Sequence, residues 1–143
     1  FNTSAVKDMG EMFAGNSFIQ LNLNNFNTSQ VTNMSRMFRG CRSLTTLDIS
    51  SFDTQKVTMM TDMFSFCRSL TSLNLSNFDT SKVINMANMF EWCDELTNLN
   101  LSSFNTSQVS NMSTMFSSCK KLSNLDLSNF DTSQVKSMGI VIL

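Results

Sequence analysis

The chain has 143 residues and a formal net charge of −1; 41% of its residues are apolar and 15% are charged. These values predict one folded domain with a substantial core, and they indicate no electrostatic attraction to nucleic acid or to an acidic membrane surface. His is absent, which disfavours a zinc site, and no apolar run approaches the roughly 18 residues of a membrane span.

A recurring motif, Phe-(Asn/Asp)-Thr, organises the whole chain. It returns at one interval of 25 residues and four of 26, starting at Phe1, Phe26, Phe52, Phe78, Phe104 and Phe130. Five units are nearly whole and a sixth is begun, so residues 1–143 are predicted to form a single repeat domain. Because the chain starts within the pattern, we expect it to be a piece of a longer protein.

The middle of each repeat has a helical spacing. Four apolar side chains of the second unit lie at positions i, i+3, i+6 and i+7, namely Val31, Met34, Met37 and Phe38. This spacing places them on one face of a helix, and Gly40 follows where a helix end favours a left-handed residue. Thr28, which precedes the helix and recurs in every unit, is predicted to be a cap or turn hydroxyl that satisfies free backbone N–H groups.

The end of each repeat is typical of a strand. Leu44, Leu47 and Ile49 follow the pattern L-x-x-L-x-I, in which the last three positions alternate between apolar and polar. A unit of this length buries too little apolar surface to fold alone, so we expect successive units to stack. Stacking would pair the strands in parallel, about 4.8 Å apart, and would place equivalent core side chains over one another.

Two segments resemble known repeat families. The stretches "LTTLDI" and "LTSLNL" resemble the leucine-rich repeat, and "MFRGCRSLTTLDI" is similar to the BspA-type bacterial leucine-rich repeat. The half-unit "FDTSKVINMANMF" is similar to a repeat domain of surface lipoproteins first noticed in mycoplasmas and common in lactobacilli. The resemblance implies an α/β leucine-rich-repeat solenoid of 25–26-residue coils, with one parallel β-sheet and short helices on the opposite side. It also implies an extracellular, cell-surface protein with a role in adhesion.

Two aromatic side chains fall outside the core pattern. Phe66 and Trp92 occupy the same position in adjacent units, one place before Cys, where other units have Gly or Ser. Flanked by Arg39 and Arg68, they are candidate anchors for a partner. The alternative is local packing at the helix end.

A polar row on the predicted sheet is the second candidate surface. It contains Asp48, Asn74, Asn100 and Asp126. In leucine-rich repeats this sheet is the recognition surface, but the same residues also suit a strand face that is simply hydrated. Both interpretations stay open, because the row has no aromatic residue.

The cysteines and methionines are expected to fill the core. Cys recurs once per unit, never as C-x-x-C, at Cys41, Cys67, Cys93 and Cys119. Buried free thiols are the favoured interpretation, with one or two inter-coil disulfides as the alternative. Eleven of the twelve Met residues fall on two positions of the repeat, Met59 excepted, as core residues would.

These observations predict a non-enzymatic binding module, since no nucleophile lies beside a base and no carboxylate cluster is present in the sequence. We expect no cofactor, no metal and no nucleic-acid partner. The expected partner is a protein or another cell-surface macromolecule. The alternative function is a structural spacer, or a solenoid that associates end to end with further copies.

Overall fold

The computed structural model describes residues 2–139; Phe1 and residues 140–143, with the start of the first repeat and the end of the predicted domain, lie outside the described residues. Strand β1 (Ser72–Leu73) pairs in parallel with strand β2 (Asn98–Leu99), with Ser72 opposite Asn98. Single parallel bridges join the other repeats at residues 25 or 26 apart, such as Asp8 with Asn33 and Asn22 with Asp48. Successive repeats therefore lie side by side as stacked coils.

The predicted α/β class is wrong, because no helix occurs within residues 2–139. The expected sheet with one strand in every coil is also reduced, since only β1 and β2 reach the length of a strand. The rest of the described chain consists of turns, bends and isolated bridges. It follows, for these residues, that no helix is long and apolar enough to cross a membrane.

Hydrogen bonding explains why the predicted helices are absent. In the segment where a helix was predicted, alternate N–H groups donate to carbonyls of the next coil. The N–H of Arg36 donates to Thr61 at 2.8 Å, and that of Phe38 donates to Met63 at 3.0 Å. The intervening N–H groups close turns of four residues, as from Met37 to Met34 at 3.2 Å. A helix needs these same N–H groups for its own carbonyls four residues back. The inter-coil bonds and the helix are therefore mutually exclusive.

Each of the first five coils holds two positions in the left-handed region. One contains Glu11, Arg36, Asp62, Asn88 and Thr114, and the other contains Gly15, Gly40, Phe66, Trp92 and Ser118, all with φ between 53° and 74°. A positive φ at the third residue of a four-residue turn is the signature of a type II turn. Most of these residues are not glycine, so the sequence offered little warning of the turns.

Equivalent core side chains stack from coil to coil, as the repeat spacing predicted. The rings of Phe38, Phe64, Phe90 and Phe116 follow one another with centroids 5.6–5.7 Å apart, and Phe13 precedes Phe38 at 5.6 Å. The two methionine columns are buried except for Met12 and Met138, which are 42% and 48% exposed. Aromatic stacking of this kind contributes about 0.5–1.5 kcal/mol per pair beyond burial.

Buried threonine hydroxyls join the coils at a second level. Thr28 Oγ1 donates to the carbonyl of Asp53 at 2.9 Å and accepts the Asp53 N–H at 2.8 Å. The same pair of hydrogen bonds, one donated and one accepted, recurs from Thr3, Thr54, Thr80 and Thr106 to the next coil. The hydroxyl thus satisfies a free backbone N–H group, as predicted, but this group belongs to the neighbouring repeat and no helix is capped.

Asx turns account for the abundance of Asn, Asp and Ser. In each of three columns, a side-chain oxygen accepts the backbone N–H two residues later, as in Asp48 with Ser50 at 3.0 Å, Asp53 with Gln55 at 3.0 Å and Asn33 with Ser35 at 2.9 Å. Asn and Asp favour such turns because their short side chains reach this N–H group. The turns fix the corners between the stacked faces of the coil.

Candidate functional site

Phe66 and Trp92 form a stacked pair on the surface. Their ring centroids are 6.0 Å apart with an angle of 11° between the planes, and both side chains are half-buried. Their φ values are +61° and +59°, whereas Gly15 and Gly40 occupy this turn position in the preceding coils. A bulky residue in this region costs about 1–2 kcal/mol of backbone strain. The two rings are therefore present despite a local preference for glycine.

Cations lie against both rings. Arg39 Cζ is 5.7 Å from the Phe66 centroid, and Arg68 Cζ is 5.7 Å from Phe66 and 5.1 Å from Trp92. Lys120 Nζ lies 5.8 Å from the Trp92 centroid. Contacts of this length allow cation–π attraction. We call Arg39, Phe66, Arg68, Trp92 and Lys120 the cation–aromatic column.

Two acidic side chains orient the cations of the column. Arg39 Nε is 3.8 Å from Asp62, while Arg68 Nε and Lys120 Nζ are 3.8 Å and 2.9 Å from the two oxygens of Asp94. The side chains of Arg39, Arg68 and Lys120 remain 42–66% exposed, so these ion pairs add little stability. Their effect is to hold the positive groups beside the rings while leaving them accessible to solvent.

An open groove of about 530 Å³ begins at the Phe66 end of the column. It is lined by Ala14, Gly15, Arg39, Gly40, Arg42 and Phe66. Gly15 and Gly40 occupy the positions that carry rings in the third and fourth coils, and they have no side chains to fill the space. The groove thus lies where the stack of Trp92 and Phe66 ends, and Arg39 and Arg42 border it.

The polar row lies elsewhere and has a structural role. The Oδ1 atoms of Asp48, Asn74, Asn100 and Asp126 accept backbone N–H groups at 2.9–3.1 Å. Hydrogen bonds from the hydroxyl and N–H of Ser50 lower the pKa of Asp48, and those of Ser128 lower the pKa of Asp126. The four side chains are exposed, and none lines the groove.

The structure thus brings together four of the eight predicted binding residues: Arg39, Phe66, Arg68 and Trp92. Sequence analysis missed Lys120. The signal was available, because Arg42, Arg68, Asp94 and Lys120 each follow the Cys of their repeat and so form one column. It also missed Gly40 as the residue that opens the groove.

The four cysteines are free and buried, as the favoured interpretation predicted. Each Sγ donates to a Phe carbonyl of the preceding coil, such as Cys67 to Phe38 at 3.2 Å and Cys93 to Phe64 at 3.2 Å. Burial raises the pKa of the Cys119 thiol to about 11 and raises the pKa values of Cys67 and Cys93 as well. Within residues 2–139 no cluster of three or more Cys, Asp or Glu side chains is arranged to hold a metal ion.

Comparison with protein families matches the chain to the family described as "Mycoplasma protein of unknown function, DUF285". The match covers residues 1–91 and 67–142. The chain belongs to this family. The assignment agrees with the predicted likeness to a mycoplasma-related repeat domain. No curated protein and no solved structure matches the chain.

Proposed function

We propose that this chain is a non-enzymatic binding module that recognises a macromolecular partner at the cell surface through the cation–aromatic column. The observation that supports it is the stacked pair of Phe66 and Trp92 at positive φ. Neither ring belongs to the buried core, and glycine or serine occupies the same position in the other coils. Trp and Arg, both present in the column, are among the residues that most often dominate binding energy in protein interfaces.

The finer family assignment is part of this proposal. The leucines of the L-x-x-L-x-[LI] segments, such as Leu70, Leu73 and Leu75, are buried, which supports kinship with BspA-type leucine-rich repeats. With that kinship comes an extracellular, cell-surface location. The proposal retains recognition by the surface of the repeats and places it on the cation–aromatic column.

Replacement of both rings tests the function. The double variant Phe66→Ser, Trp92→Ser uses the residue that the chain itself has at Ser118, so the turns keep a side chain already found at this position. We expect binding to intact host or bacterial cells to weaken at least tenfold, because loss of an interface anchor costs about 2 kcal/mol or more. Flow cytometry with labelled protein measures it, and thermal unfolding verifies the fold.

The matched control is Ile84→Ser, which removes an exposed apolar side chain outside the column. This variant is expected to bind like the wild type. Equal binding by the double variant, or no binding by the wild-type chain to any cell or extracellular matrix component, would contradict the proposal.

A structural role is the second candidate function. Exposed apolar side chains occur in the first coil, where Met12, Phe18 and Ile19 are 42%, 41% and 64% exposed. Contact between such surfaces would join copies end to end. Sedimentation velocity at rising protein concentration tests this role, and a sedimentation coefficient that does not change would exclude it.

A further inference from the structure

The groove beside Phe66 has the properties of a ligand site. The stack of Trp92 on Phe66 stops at Gly40, although the backbone of this position continues through Gly15 with the same positive φ. A methyl group at Gly40 would meet only Gly15, with its nearest heavy atoms at 3.7 Å. A ring-shaped group from another molecule can therefore lie over Gly40 and continue the column.

Charge restricts the identity of that group. Arg39 and Arg42 border the groove, and no acidic side chain is among the described residues that line it. Arg39 already forms an ion pair with Asp62, with its Nε 3.8 Å from the carboxylate, whereas Arg42 forms no ion pair within residues 2–139. A free guanidinium group binds a carboxylate through two parallel N–H bonds. The complementary ligand is an anion, and a carboxylate matches the paired N–H groups of Arg42.

Dimensions favour a ligand of more than one ring. The coils repeat at about 4.8 Å, the spacing of paired strands, so the two glycine levels together span roughly 10 Å. A single flat ring would fill one level, as Phe66 does beside Trp92 at 6.0 Å, whereas linked pyranoses cover both levels and present apolar C–H groups on their faces. The volume of about 530 Å³ is large enough for a short oligosaccharide.

We infer that the groove formed by Gly15, Gly40, Arg39, Arg42 and Phe66 binds an acidic sugar of a surface glycan. The pyranose face lies against Phe66, and its carboxylate pairs with Arg42. This inference rests on the proposed binding function and specifies the class of ligand.

The test uses trigalacturonic acid, the neutral galactose trimer of the same linkage, and a triglutamate peptide. Trp92 is the single tryptophan of the chain and stacks on Phe66, so its fluorescence reports binding beside the groove, and calorimetry gives the affinity. We expect the acidic trimer to bind at least tenfold more tightly than the other two. The affinity should fall as salt is added, because the carboxylate pairs with a cation.

Two substitutions at one position separate filling of the groove from backbone strain. Gly40→Phe repeats a side chain that Phe66 already shows to be compatible with this turn, and it should weaken binding tenfold or more. Gly40→Ala introduces the same strain at φ +74° but leaves the groove open, so its affinity should stay within threefold of the wild type. Thermal unfolding of both variants shows that they fold.

Arg42→Gln tests the charge, with Lys56→Gln as the matched control because Lys56 does not line the groove. Arg42→Gln should weaken binding at least fivefold, and Lys56→Gln should have no effect. Equal affinity for the triglutamate peptide, or an unchanged affinity in Gly40→Phe, would overturn the inference.

The two proposals fail in different ways. Should the chain bind cells through Phe66 and Trp92 yet ignore the acidic trimer, the sugar inference falls and the binding function stands. Should it bind neither cells nor sugar, both fall.

Discussion

Thr80 shows how one buried hydroxyl can satisfy the N–H and the carbonyl of a residue in the next coil, which a paired strand would otherwise do. Its Oγ1 donates to the carbonyl of Asn105 at 2.9 Å and accepts the Asn105 N–H at 2.8 Å, and the residue is fully buried. Both backbone groups of Asn105 thus find partners where the coil has no strand to supply them. A buried polar group without a partner costs about 1–3 kcal/mol, so this arrangement is energetically important.

Thr80→Val should therefore destabilise the fold by about 2–4 kcal/mol, because the isosteric methyl group leaves the N–H and the carbonyl of Asn105 unsatisfied. Urea unfolding followed by circular dichroism measures the change. Thr97→Val is the control: its hydroxyl is exposed and donates one bond, to Thr71 at 3.2 Å, so its effect should stay below about 0.5 kcal/mol. Equal effects of the two substitutions would refute the role of the buried column.

The Asx turns predict how stability depends on pH. Hydrogen bonds from Ser81 lower the pKa of Asp79, and similar bonds lower those of Asp48, Asp126 and Asp131 from the usual 3.8. A carboxyl group with a lowered folded pKa stabilises the protein above its unfolded pKa. That contribution is lost as the pH falls below about 4. Burial raises the pKa of Glu91, which acts in the opposite sense.

Replacement of Asp by Asn at positions 48, 79, 126 and 131 should make the free energy of unfolding less dependent on pH below about pH 5. Asn74 and Asn100 already support the turn of Asp48 and Asp126, and Asn27 and Asn105 support that of Asp79 and Asp131, so the fold should persist. The urea midpoint of the wild type should fall between pH 6 and pH 3, and that of the quadruple variant should fall less. Identical pH dependence would show that these carboxylates do not contribute.

At the scale of the element, the described chain is built from turns where the sequence indicated helices. The spacing of Val31, Met34, Met37 and Phe38 predicted correctly that all four are buried. It did not predict the backbone conformation, since a row of four-residue turns places these side chains on one face just as a helix does. The choice depends on whether the Arg36 N–H donates within its coil or to Thr61 of the next one. A pattern within one repeat has no information about that partner.

The binding surface was only partly predictable for a related reason. Register alone placed Phe66 beside Trp92, because a separation of 26 residues makes neighbours of equivalent positions. The groove required knowledge that Gly40 lies in a turn exposed at the surface and not at the end of a helix. The Asn-x-Ser pattern was an unread signal for the Asx turns, as at Asn33 and Ser35, but no such pattern marks the turn at Gly40.

Gly15→Ala measures the cost of the left-handed turns. Gly15 has φ +71°, and no heavy atom lies within 4 Å of the point that an added methyl group would occupy, so the substitution changes only the backbone energy. We expect a loss of about 1–2 kcal/mol in the free energy of unfolding. Gly139→Ala is the control, since its surroundings are equally open and its φ is not in this region. Matching effects would indicate that strain is absent at Gly15.

At the scale of the whole molecule, the stack is a one-dimensional array in which each coil contacts its neighbours. Coils in the middle are covered on both sides, as Cys67 and Cys93 show by being completely buried. Phe13 and Phe26, in the first two repeats, are only half-buried. Phe130, in the last repeat, is half-buried too, so local opening should begin at the ends of the stack and reach the middle last.

Thiol alkylation at pH 8 tests this order. Iodoacetamide should label none of the four cysteines rapidly in the folded protein, because burial raises their pKa values and few thiolates form. In moderate urea Cys41, which bonds to Phe13 of the first coil, should react before Cys67 and Cys93. Mass spectrometry of the digested protein gives the order. Ser43→Cys, at an exposed site, provides the control for fast labelling.

The Asx turns separate the charge of the surface from its architecture. Asp48 and Asp126 share one column with Asn74 and Asn100, and all four accept the same backbone bond. An amide and a carboxylate are thus interchangeable at every corner of the coil. Related proteins with these repeats can acquire an acidic or a neutral surface by single-nucleotide changes, with no rearrangement of the interior. They can thus change their binding partners while retaining one shape.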